Sequence, residues 1–343
     1  MTAAPEHAPT MAQKSLVERI GPWMPVLLVP LVMLAGLVLI PATSSWLTLT
    51  VSGLAMGMMI FIMASGMTLV FGLMDVINFG HGVFISVGAF VGVSVLLMLS
   101  SMTGAPSLVL NLLAMLMAIV VASIATGLLG WGFERVIVKP VYGAHLKQIL
   151  VTMGGLIVVE QLIVVFWGPE EIYILRPEAL KGAVTFAGAA LEKYRLVAVG
   201  VGLGLFLAMR YVLRRTKIGL IVRAGVENGE MVEALGYRLR FVFVGVFIAG
   251  SALAGLGGVM WGLYQEVITA HMGQHLMILI FIVVIIGGLG SVEGCFIGAL
   301  LVGLLQNYVA FLEPKAALIS NIALMVAILM WRPQGMIPVV KAK

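Results

Sequence analysis

The sequence predicts an all-α membrane protein, a polytopic bundle of transmembrane helices in which some helices are broken. Hydrophobic residues make up 62% of the 343 residues, charged residues only 10%, and the mean hydropathy is +1.15. A soluble domain carries about 25% charged residues, so this chain has too little polar surface to fold in water. A spanning helix needs about 20 apolar residues, and runs of roughly that kind recur along almost the whole chain.

Ten apolar runs are candidates for membrane spans. They lie at residues 24–40, 47–71, 83–100, 107–131, 148–167, 195–213, 241–263, 275–290, 295–312 and 317–331. Because several are short, and 275–290 with 295–312 could be partial spans, we expect eight to ten spans. The transmembrane domain is then 24–338, between an N-terminal tail, 1–23, and a C-terminal tail, 339–343.

The basic residues indicate how the bundle is oriented. If the chain crosses ten times with its N terminus inside, fifteen of the twenty Lys and Arg residues fall on the inner side. The outer five are Arg176, Lys181, Lys193, Arg195 and Lys315. Cytoplasmic loops carry an excess of Lys and Arg, so we expect a protein of the plasma (inner) membrane with both termini in the cytoplasm. The net charge of +5 therefore does not indicate a nucleic-acid partner.

Two long polar segments separate the apolar runs. The outer one, 168–194, is long enough to cover a substrate entrance or to contact an external partner, and a passive linker is the alternative. In the inner one, 214–240, residues 230–235 suit a short helix that ends at Gly236, a residue favoured after helix C-termini.

The short inner helix has an apolar edge. Met231, Val232 and Leu235 lie at i, i+1 and i+4, which places them along one side of a helix. Such an edge, held between two membrane helices, could dock into a cleft of another protein. Packing against the ends of the chain's own helices is the alternative.

Residues 72–82 interrupt the apolar pattern with three glycines and with Asp75, Asn78 and His81. A break in a membrane helix must be buried in protein or face water, and polar residues at such breaks indicate a pathway or binding site. We expect this break to line a substrate pathway. The residues concerned are Asp75, Asn78, Phe79, Gly80, His81 and Gly82. An ordinary tight loop at the membrane surface is the alternative.

A second glycine-rich break spans 287–294. Its residues Gly287, Gly288, Gly290 and Ser291 are predicted to line the same pathway. Because both breaks lie between apolar runs, they indicate an internal duplication whose two broken elements face a shared midplane. The ten-helix threading places both breaks on the same side, however, whereas an inverted repeat needs them on opposite sides.

The sequence lacks the patterns of several chemistries. No Gly-x-x-x-x-Gly-Lys-Ser/Thr loop is present, so ATP phosphates are not expected to bind by that route. His271 and His275 have a spacing that suits a metal on a helix, but no third ligand is evident. We therefore expect no catalytic residues, metal or cofactor, and a transport subunit rather than an enzyme. Glu160 lies deep enough to line a cavity.

Two alternatives to a subunit-based importer stay open at this point. An ion-coupled secondary transporter would need an essential membrane carboxylate, for which Asp75 is the best candidate. In a channel or a structural membrane subunit, the glycine-rich breaks would serve packing alone.

Several motifs resemble one known family. Ile77–Gly82 resembles the Ile-Asn-Phe-Ala/Gly-His-Gly motif of the permease subunits of branched-chain amino acid ABC importers, the LivH/LivM group, and the chain looks closest to the LivH type. The resemblance continues through Arg223-Ala224 and Glu233–Gly236, the family's coupling segment. It also covers Gly287–Ser291 and Trp331–Gly335, so it extends over nearly the whole chain.

The resemblance implies an ABC importer built from several chains. The partners would be a second permease, expected to form a heterodimer with this one, two cytoplasmic ATPases and a periplasmic solute-binding protein. The segment 214–240 would contact an ATPase. Its coupling residues would be Arg223, Ala224, Glu227, Asn228, Met231, Val232, Glu233, Ala234, Leu235 and Gly236. The substrate would be branched-chain or other hydrophobic amino acids, although the family also handles urea, short amides and small organic acids.

Overall fold

The computed structural model describes residues 24–74, 76–227 and 229–338, and most of this part is helical. The two predicted tails, Asp75 and Asn228 lie outside the described residues. The α-helices of the described part are α1 Met24–Leu39, α2 Thr43–Met74, α3 His81–Met98, α4 Ser100–Thr103, α5 Leu108–Phe133, α6 His145–Trp167, α7 Lys193–Arg215, α8 Lys217–Glu227, α9 Gly229–Ala234, α10 Leu239–Gln265, α11 Met272–Gly287, α12 Val292–Leu312 and α13 Ala317–Trp331.

Short elements connect these helices. A π-helical turn, Glu134–Val138, and a 3₁₀ turn, Lys139–Val141, follow α5. Two antiparallel strand pairs are described: β1 Ile172–Tyr173 pairs with β4 Val267–Ile268, and β2 Ala183–Phe186 forms a hairpin with β3 Ala189–Glu192. Two more 3₁₀ turns are Glu178–Leu180 and Pro314–Ala316.

The predicted membrane spans correspond to helices of the described residues. Seven helices are long and apolar enough to cross a membrane, namely α2, α3, α5, α6, α7, α10 and α12. Three shorter apolar helices, α1, α11 and α13, match the remaining predicted runs. The central helix α2 has 83% of its most apolar window buried within the chain, whereas α5, α6 and α7 have much of theirs exposed. The core is therefore built around α2, α3, α10 and α12, with the other long helices outside them.

The bundle has two distinct ends. At the outer end, the β2–β3 hairpin lies beside the start of α2, where Thr48 Oγ1 donates to the Ala190 carbonyl oxygen at 3.5 Å. At the inner end, Arg214 near the end of α7 contacts Glu293 at the start of α12 at 2.7 Å. Connections alternate between these ends along the chain, so α1 begins and α13 ends at the same end of the bundle.

Arg176 fastens the outer segment to the bundle. Its guanidinium donates to the carbonyl oxygens of Leu263 and Tyr264, at 2.9 and 2.8 Å. The same group forms ion pairs at 2.9 Å with Glu192 and Glu266. Because charge-assisted hydrogen bonds are the stronger kind, these contacts fix the outer segment over the end of α10.

Two broken helices are arranged as an inverted repeat. Six residues separate α2 from α3, and six separate α10 from α11. The start of α3 lies beside Met63, eleven residues before the end of α2, because the His81 ring contacts the Met63 carbonyl oxygen. At 1.5 Å per residue, α3 begins about 16 Å from the inner end of α2. From there α3 runs to the outer end, whereas α11 begins at the same level and runs to the inner end.

The surroundings of the two broken helices follow the same symmetry. α2 packs on α12 as α10 packs on α5, and α3 contacts α6 as α11 contacts α13. The predicted duplication is therefore present, but the sequence-based pairing of its breaks was wrong. The counterpart of the 75–80 break is 266–271, on the opposite side, and not 287–294. With its two breaks on opposite sides, the inverted repeat agrees with the ten-helix threading.

Glycines allow the central helices to approach closely. A Cβ atom on Gly88 would lie 2.4 Å from the Gly255 carbonyl oxygen, and one on Gly66 would lie 2.3 Å from that of Gly250. The Gly200/Gly204 pair, which has the same spacing in the sequence, does not pack in this way. Apart from the adjacent backbone of α7 itself, no heavy atom of the described residues lies within 4 Å of a Cβ built on either glycine.

Candidate functional site

The break between α2 and α3 lies inside the bundle. Asn78 is only 2% exposed, and Phe79 is half-buried. The Phe79 amide donates to Thr152 Oγ1 of α6 at 3.2 Å, and the Phe79 ring lies 4.9 Å from that of Phe281 on α11. The break is therefore held between α6 and α11, and the alternative of a solvated surface loop does not fit the described residues.

The remaining residues of the motif position the start of α3. His81 is buried, with Nε2 3.0 Å from the Met63 carbonyl oxygen. A Cβ on Gly80 would lie 2.4 Å from the Phe133 ring. Gly82 faces Gly273 of α11, and a Cβ on Gly82 would lie 2.7 Å from the Gly273 carbonyl oxygen. These three residues permit close packing at the point where two helices begin.

The starts of α3 and α11 meet near the middle of the bundle. The Gly273 amide of α11 donates to Ser86 Oγ of α3 at 3.0 Å. The Gly82–Gly273 contact brings the two backbones together, and the helices then run in opposite directions. Two helix N-termini therefore converge at one level, an arrangement typical of substrate sites built from broken helices.

Asn78 is a buried polar side chain at this point. Neither its Oδ1 nor its Nδ2 has a hydrogen-bond partner among the described residues. Leaving a buried polar group without a partner costs roughly 1–3 kcal/mol. A buried amide is therefore unfavourable unless another group forms hydrogen bonds with it. Asp75, the predicted acid of this break, lies outside the described residues.

The second predicted break forms a tight turn at the inner end, between α11 and α12. Ser291 Oγ accepts a hydrogen bond from the Gly294 amide at 3.1 Å and so caps α12. Gly288 and Gly290 have φ of 97° and 80°, which favour glycine. Behind the turn, the amides of Met336 and Ile337 donate to the carbonyl oxygens of Ile286 and Gly287. Within the described residues these atoms therefore serve packing and capping.

One face of α11 carries exposed polar side chains near the middle of the bundle. His271, Gln274, His275 and Ile278 are exposed and lie at i, i+3, i+4 and i+7. We call this set the α11 stripe. Polar side chains at such a depth are costly against lipid and normally face protein or a water-filled cavity. The stripe is therefore a surface that needs a partner or a path beside it.

A carboxylate of α6 meets the start of the stripe. Glu160 Oε2 lies 3.2 Å from His271 Nδ1, with side-chain exposures of 6% and 52%. Glu160 lies eight residues beyond Thr152, which holds Phe79. One side of α6 therefore contacts both the 75–80 break and the stripe.

The segment 214–240, predicted to contact an ATPase and called here the coupling segment, contains two short helices, α8 and α9. As predicted, α9 is a short helix, Gly229–Ala234, and Gly236 follows it with φ of 89°. The amides of Gly236 and Tyr237 donate to the carbonyl oxygens of Glu233 and Val232 and close the helix.

The predicted apolar edge divides into two parts. Val232 is buried in the chain, whereas Met231 and Leu235 are 60% and 71% exposed. The alternative in which the edge packs on its own chain therefore holds for Val232. In the neighbouring helix α8, Arg223 Nε donates to the Gly219 carbonyl oxygen at 3.3 Å, and Ala224 is half-buried. The Glu227 side chain lies outside the described residues.

A family model matches most of the chain. The model described as "Branched-chain amino acid transport system / permease component" matches residues 49–330. The chain belongs to this permease family. Both breaks, the α11 stripe and the coupling segment lie within the matched residues.

Relatives with known names cover nearly the same length. The high-affinity branched-chain amino acid transport system permease protein BraD of Pseudomonas aeruginosa is 26% identical over 305 residues, 87% of this chain and 97% of the relative. LivH of Escherichia coli K12 is 26% identical over 294 residues, 83% and 93% respectively. A probable LivH of Methanocaldococcus jannaschii is 24% identical over 290 residues, 81% and 88%. No solved structure matches this chain.

The permease is thus a multi-pass membrane protein and a transport subunit. The sequence identified some residues of this candidate site and missed others. Sequence reasoning selected the break at 72–82, but it considered His271 and His275 only as metal ligands and did not single out Gln274. Within the described residues no group of three or more His, Cys, Asp or Glu could hold a metal ion. The i, i+3, i+4 spacing of three polar residues at the start of an apolar run could have revealed the stripe.

Proposed function

We propose that this permease is one of two membrane subunits of an ABC importer for branched-chain amino acids, and that the solute crosses beside the α11 stripe. The observation that carries the proposal is the exposed polar stripe near the middle of the bundle. If the stripe faced lipid, placing its polar side chains in hydrocarbon would cost free energy. A second permease that covers the stripe and leaves a path beside it removes that cost.

The chemistry beside the stripe suits an amino acid with an aliphatic side chain. His271, Gln274 and His275 can form transient hydrogen bonds with ammonium and carboxylate groups. Ile278 and the Phe79–Phe281 pair provide an apolar surface next to them. Each contact is individually weak, which release of the solute requires.

The residues of the two predicted breaks take different roles in this proposal. Asn78 and Phe79 contact the path, and Asp75 belongs to the same break. Gly80, His81 and Gly82 position the start of α3. At the inner end, Gly287, Gly288, Gly290 and Ser291 shape the turn through which α11 moves relative to α12.

ATP hydrolysis is assigned to separate chains. The sequence has no Gly-x-x-x-x-Gly-Lys-Ser/Thr loop, and the relatives are named as permease proteins. Met231 and Leu235 of the coupling segment are exposed beside each other and suit a cleft of an ATPase. Closure of two ATPases would then move α7 and α10 as rigid bodies.

The orientation follows from the charges. The inner end carries most of the basic residues and is therefore cytoplasmic, with both termini on that side. A solute-binding protein then approaches the outer end, where Tyr173, Leu175 and Phe186 are exposed on the outer segment. Arg176 holds this segment against α10, so docking there reaches the broken helices directly.

The function is tested by purification and uptake. The tagged chain, isolated in mild detergent, is expected to bring with it an ATPase and a second permease. After reconstitution with the solute-binding protein, uptake of labelled leucine should require ATP, and isoleucine and valine should compete. Urea, short amides and organic acids should compete poorly. Uptake that survives ATP depletion and collapses with the proton gradient would instead establish an ion-coupled transporter.

Gly236→Val is expected to reduce uptake at least about fivefold while the chain still reaches the membrane. Gly236 has φ of 89°, a conformation that costs a β-branched residue roughly 1–3 kcal/mol. The substitution therefore changes how α9 ends and how the coupling segment is presented to its partner. Uptake and membrane content are measured together.

Gly143→Val is the matched control. Gly143 also has a positive φ, 77°, and lies in another inner loop, and a Cβ there meets no atom within 4 Å, as at Gly236. The control carries the same backbone strain outside the coupling segment, so it should retain uptake. Normal uptake in Gly236→Val, or equal loss in both variants, would remove the coupling role.

A further inference from the structure

A cleft at the inner end of the bundle lies apart from the α11 stripe. It has a volume of about 690 Å³ and lies between the end of α5 and the start of α10. Its walls include Trp131 and Arg135 on one side and Tyr237 and Arg240 on the other. The coupling segment borders it through Glu233 and Gly236. The predicted pathway does not use this space, and of the predicted ATPase-contact residues only Glu233 and Gly236 border it.

The cleft carries an excess of positive charge. Arg135, Arg238 and Arg240 line it and are exposed, and no carboxylate oxygen of the described residues lies within 4 Å of their guanidinium groups. Two acids, Glu134 and Glu233, also line the cleft. Three cations against two anions therefore leave a net positive site.

One of the two acids is already engaged. Glu134 is 3% exposed, and its Oε1 accepts a hydrogen bond from the Tyr142 hydroxyl at 2.5 Å. Burial and the Glu134 carboxylate together raise the pKa of Tyr142 above its ordinary value, so the hydroxyl stays protonated and keeps donating. The Glu134 carboxylate is thus directed to Tyr142, and the arginines remain available to a ligand.

The other half of the cleft is apolar and continues into the membrane region. Trp131, Phe241 and Val244 line it, and Trp131 and Phe241 are exposed. One and two turns from Trp131 toward the middle of α5, the exposed side chains of Leu128 and Ile124 extend this apolar face. On the α10 side, a Cβ on Gly245 would meet nothing within 4 Å. An exposed apolar surface of α5 therefore leads from the arginines toward the middle of the bundle.

We infer that this cleft binds an anionic phospholipid of the inner leaflet. Its headgroup phosphate contacts Arg135, Arg238 and Arg240, and an acyl chain lies along Trp131 and Leu128. Clusters of basic residues at the membrane surface attract anionic lipid, and Trp and Tyr favour the headgroup level. A docked ATPase would satisfy the arginines but could not reach the apolar face of α5 within the bilayer.

The location gives the lipid a regulatory role. Because Glu233 and Gly236 border the cleft, a bound lipid would brace the end of α9 against α5. This regulatory part rests on the proposed function, since it assumes that α9 transmits ATPase closure. The binding itself depends only on the cleft and on the orientation of the bundle.

Binding is tested by fluorescence quenching in nanodiscs. The full chain, with the subunits that copurify with it, is placed in phosphatidylcholine containing increasing fractions of acyl-brominated phosphatidylglycerol. Subtracting the signal of a Trp131→Phe variant isolates Trp131. Brominated phosphatidylglycerol should half-saturate the quenching at a mole fraction at least several-fold lower than brominated phosphatidylcholine does. Equal quenching by the two lipids would overturn the proposal.

Charge variants locate the headgroup. The triple variant Arg135→Gln/Arg238→Gln/Arg240→Gln should raise the half-saturating fraction of phosphatidylglycerol roughly tenfold or more, since each basic residue at the surface attracts anionic lipid. The matched control Lys147→Gln/Arg215→Gln/Lys217→Gln removes the same charge from exposed inner positions outside the cleft. It should shift the value less than twofold, and equal shifts in both triples would overturn the assignment.

Two further outcomes identify other occupants. If millimolar inorganic phosphate displaced the brominated lipid, the cleft would be a simple phosphate site and the lipid assignment would be wrong. If the arginine triple lost its ATPase on purification while lipid quenching stayed unchanged, the arginines would belong to the ATPase interface. Because the assay needs no transport, its result is independent of whether leucine uptake is observed.

Discussion

Gly273→Ala is expected to prevent the permease from folding to a stable bundle. A Cβ on Gly273 would lie 1.8 Å from the Gly82 carbonyl oxygen and 2.8 Å from Ser86 Oγ. The first of these atoms is backbone, so it cannot move without separating α3 from α11. Overpacking a well-packed core costs roughly 1–3 kcal/mol and occasionally more, and here the clash falls where both broken helices begin. The yield of monodisperse protein and its melting temperature in detergent measure the effect.

Gly200→Ala is the control for this substitution. Gly200 lies on the exposed side of α7, and a Cβ added to it would have no heavy atom of the described residues within 4 Å apart from the adjacent backbone of α7. In a helix interior, Ala is favoured over Gly by about 1 kcal/mol, so the control should be neutral or slightly stabilising. A Gly273→Ala protein with wild-type yield and melting temperature would contradict the close contact between the two helix starts.

The double substitution Gln274→Leu/His275→Leu is expected to reduce uptake by roughly tenfold to a hundredfold in a protein that still assembles. Removing two hydrogen-bonding groups from the path costs roughly 1–3 kcal/mol, and 1.4 kcal/mol corresponds to tenfold. Both side chains are exposed on α11, so their loss leaves the packing of the chain itself unchanged. Initial uptake rates and the copurified subunits are measured on the same preparation.

A conservative substitution separates path chemistry from helix packing. Gln274→Asn keeps the amide and should retain most of the uptake. Wild-type uptake and selectivity in the double Leu variant would show that the stripe is covered by the second permease and not used by the solute. Loss of that subunit during purification would lead to the same conclusion.

The apolar runs made most of this fold predictable. Each of the ten runs became an apolar helix, because hydrocarbon leaves a spanning segment few alternatives to helix. The short helix α9 was likewise predicted from Gly236, whose positive φ explains why glycine is placed there.

The repeat and the stripe were harder to predict. Break 266–271 contains no glycine, so it did not match the glycine-rich stretch at 72–82, and 287–294 was paired with that stretch instead. The symmetry between breaks 75–80 and 266–271 lies in the positions of their backbones, which the contact between Gly82 and Gly273 reveals. Ser291 was assigned to the pathway because it is polar, whereas its hydroxyl caps α12. Polarity in the sequence does not distinguish a capping role from a role at an exposed face.

The contact between the starts of α3 and α11 also affects how easily small cations could pass through the permease. Each helix carries about half a positive elementary charge at its N-terminus, and the positive ends of α3 and α11 lie at the same level of the bundle. Positive ends of half-helices are one means by which membrane pores exclude protons and other cations. On the path that we propose, these two positive ends would oppose the passage of Na⁺ and H₃O⁺ while admitting a zwitterion.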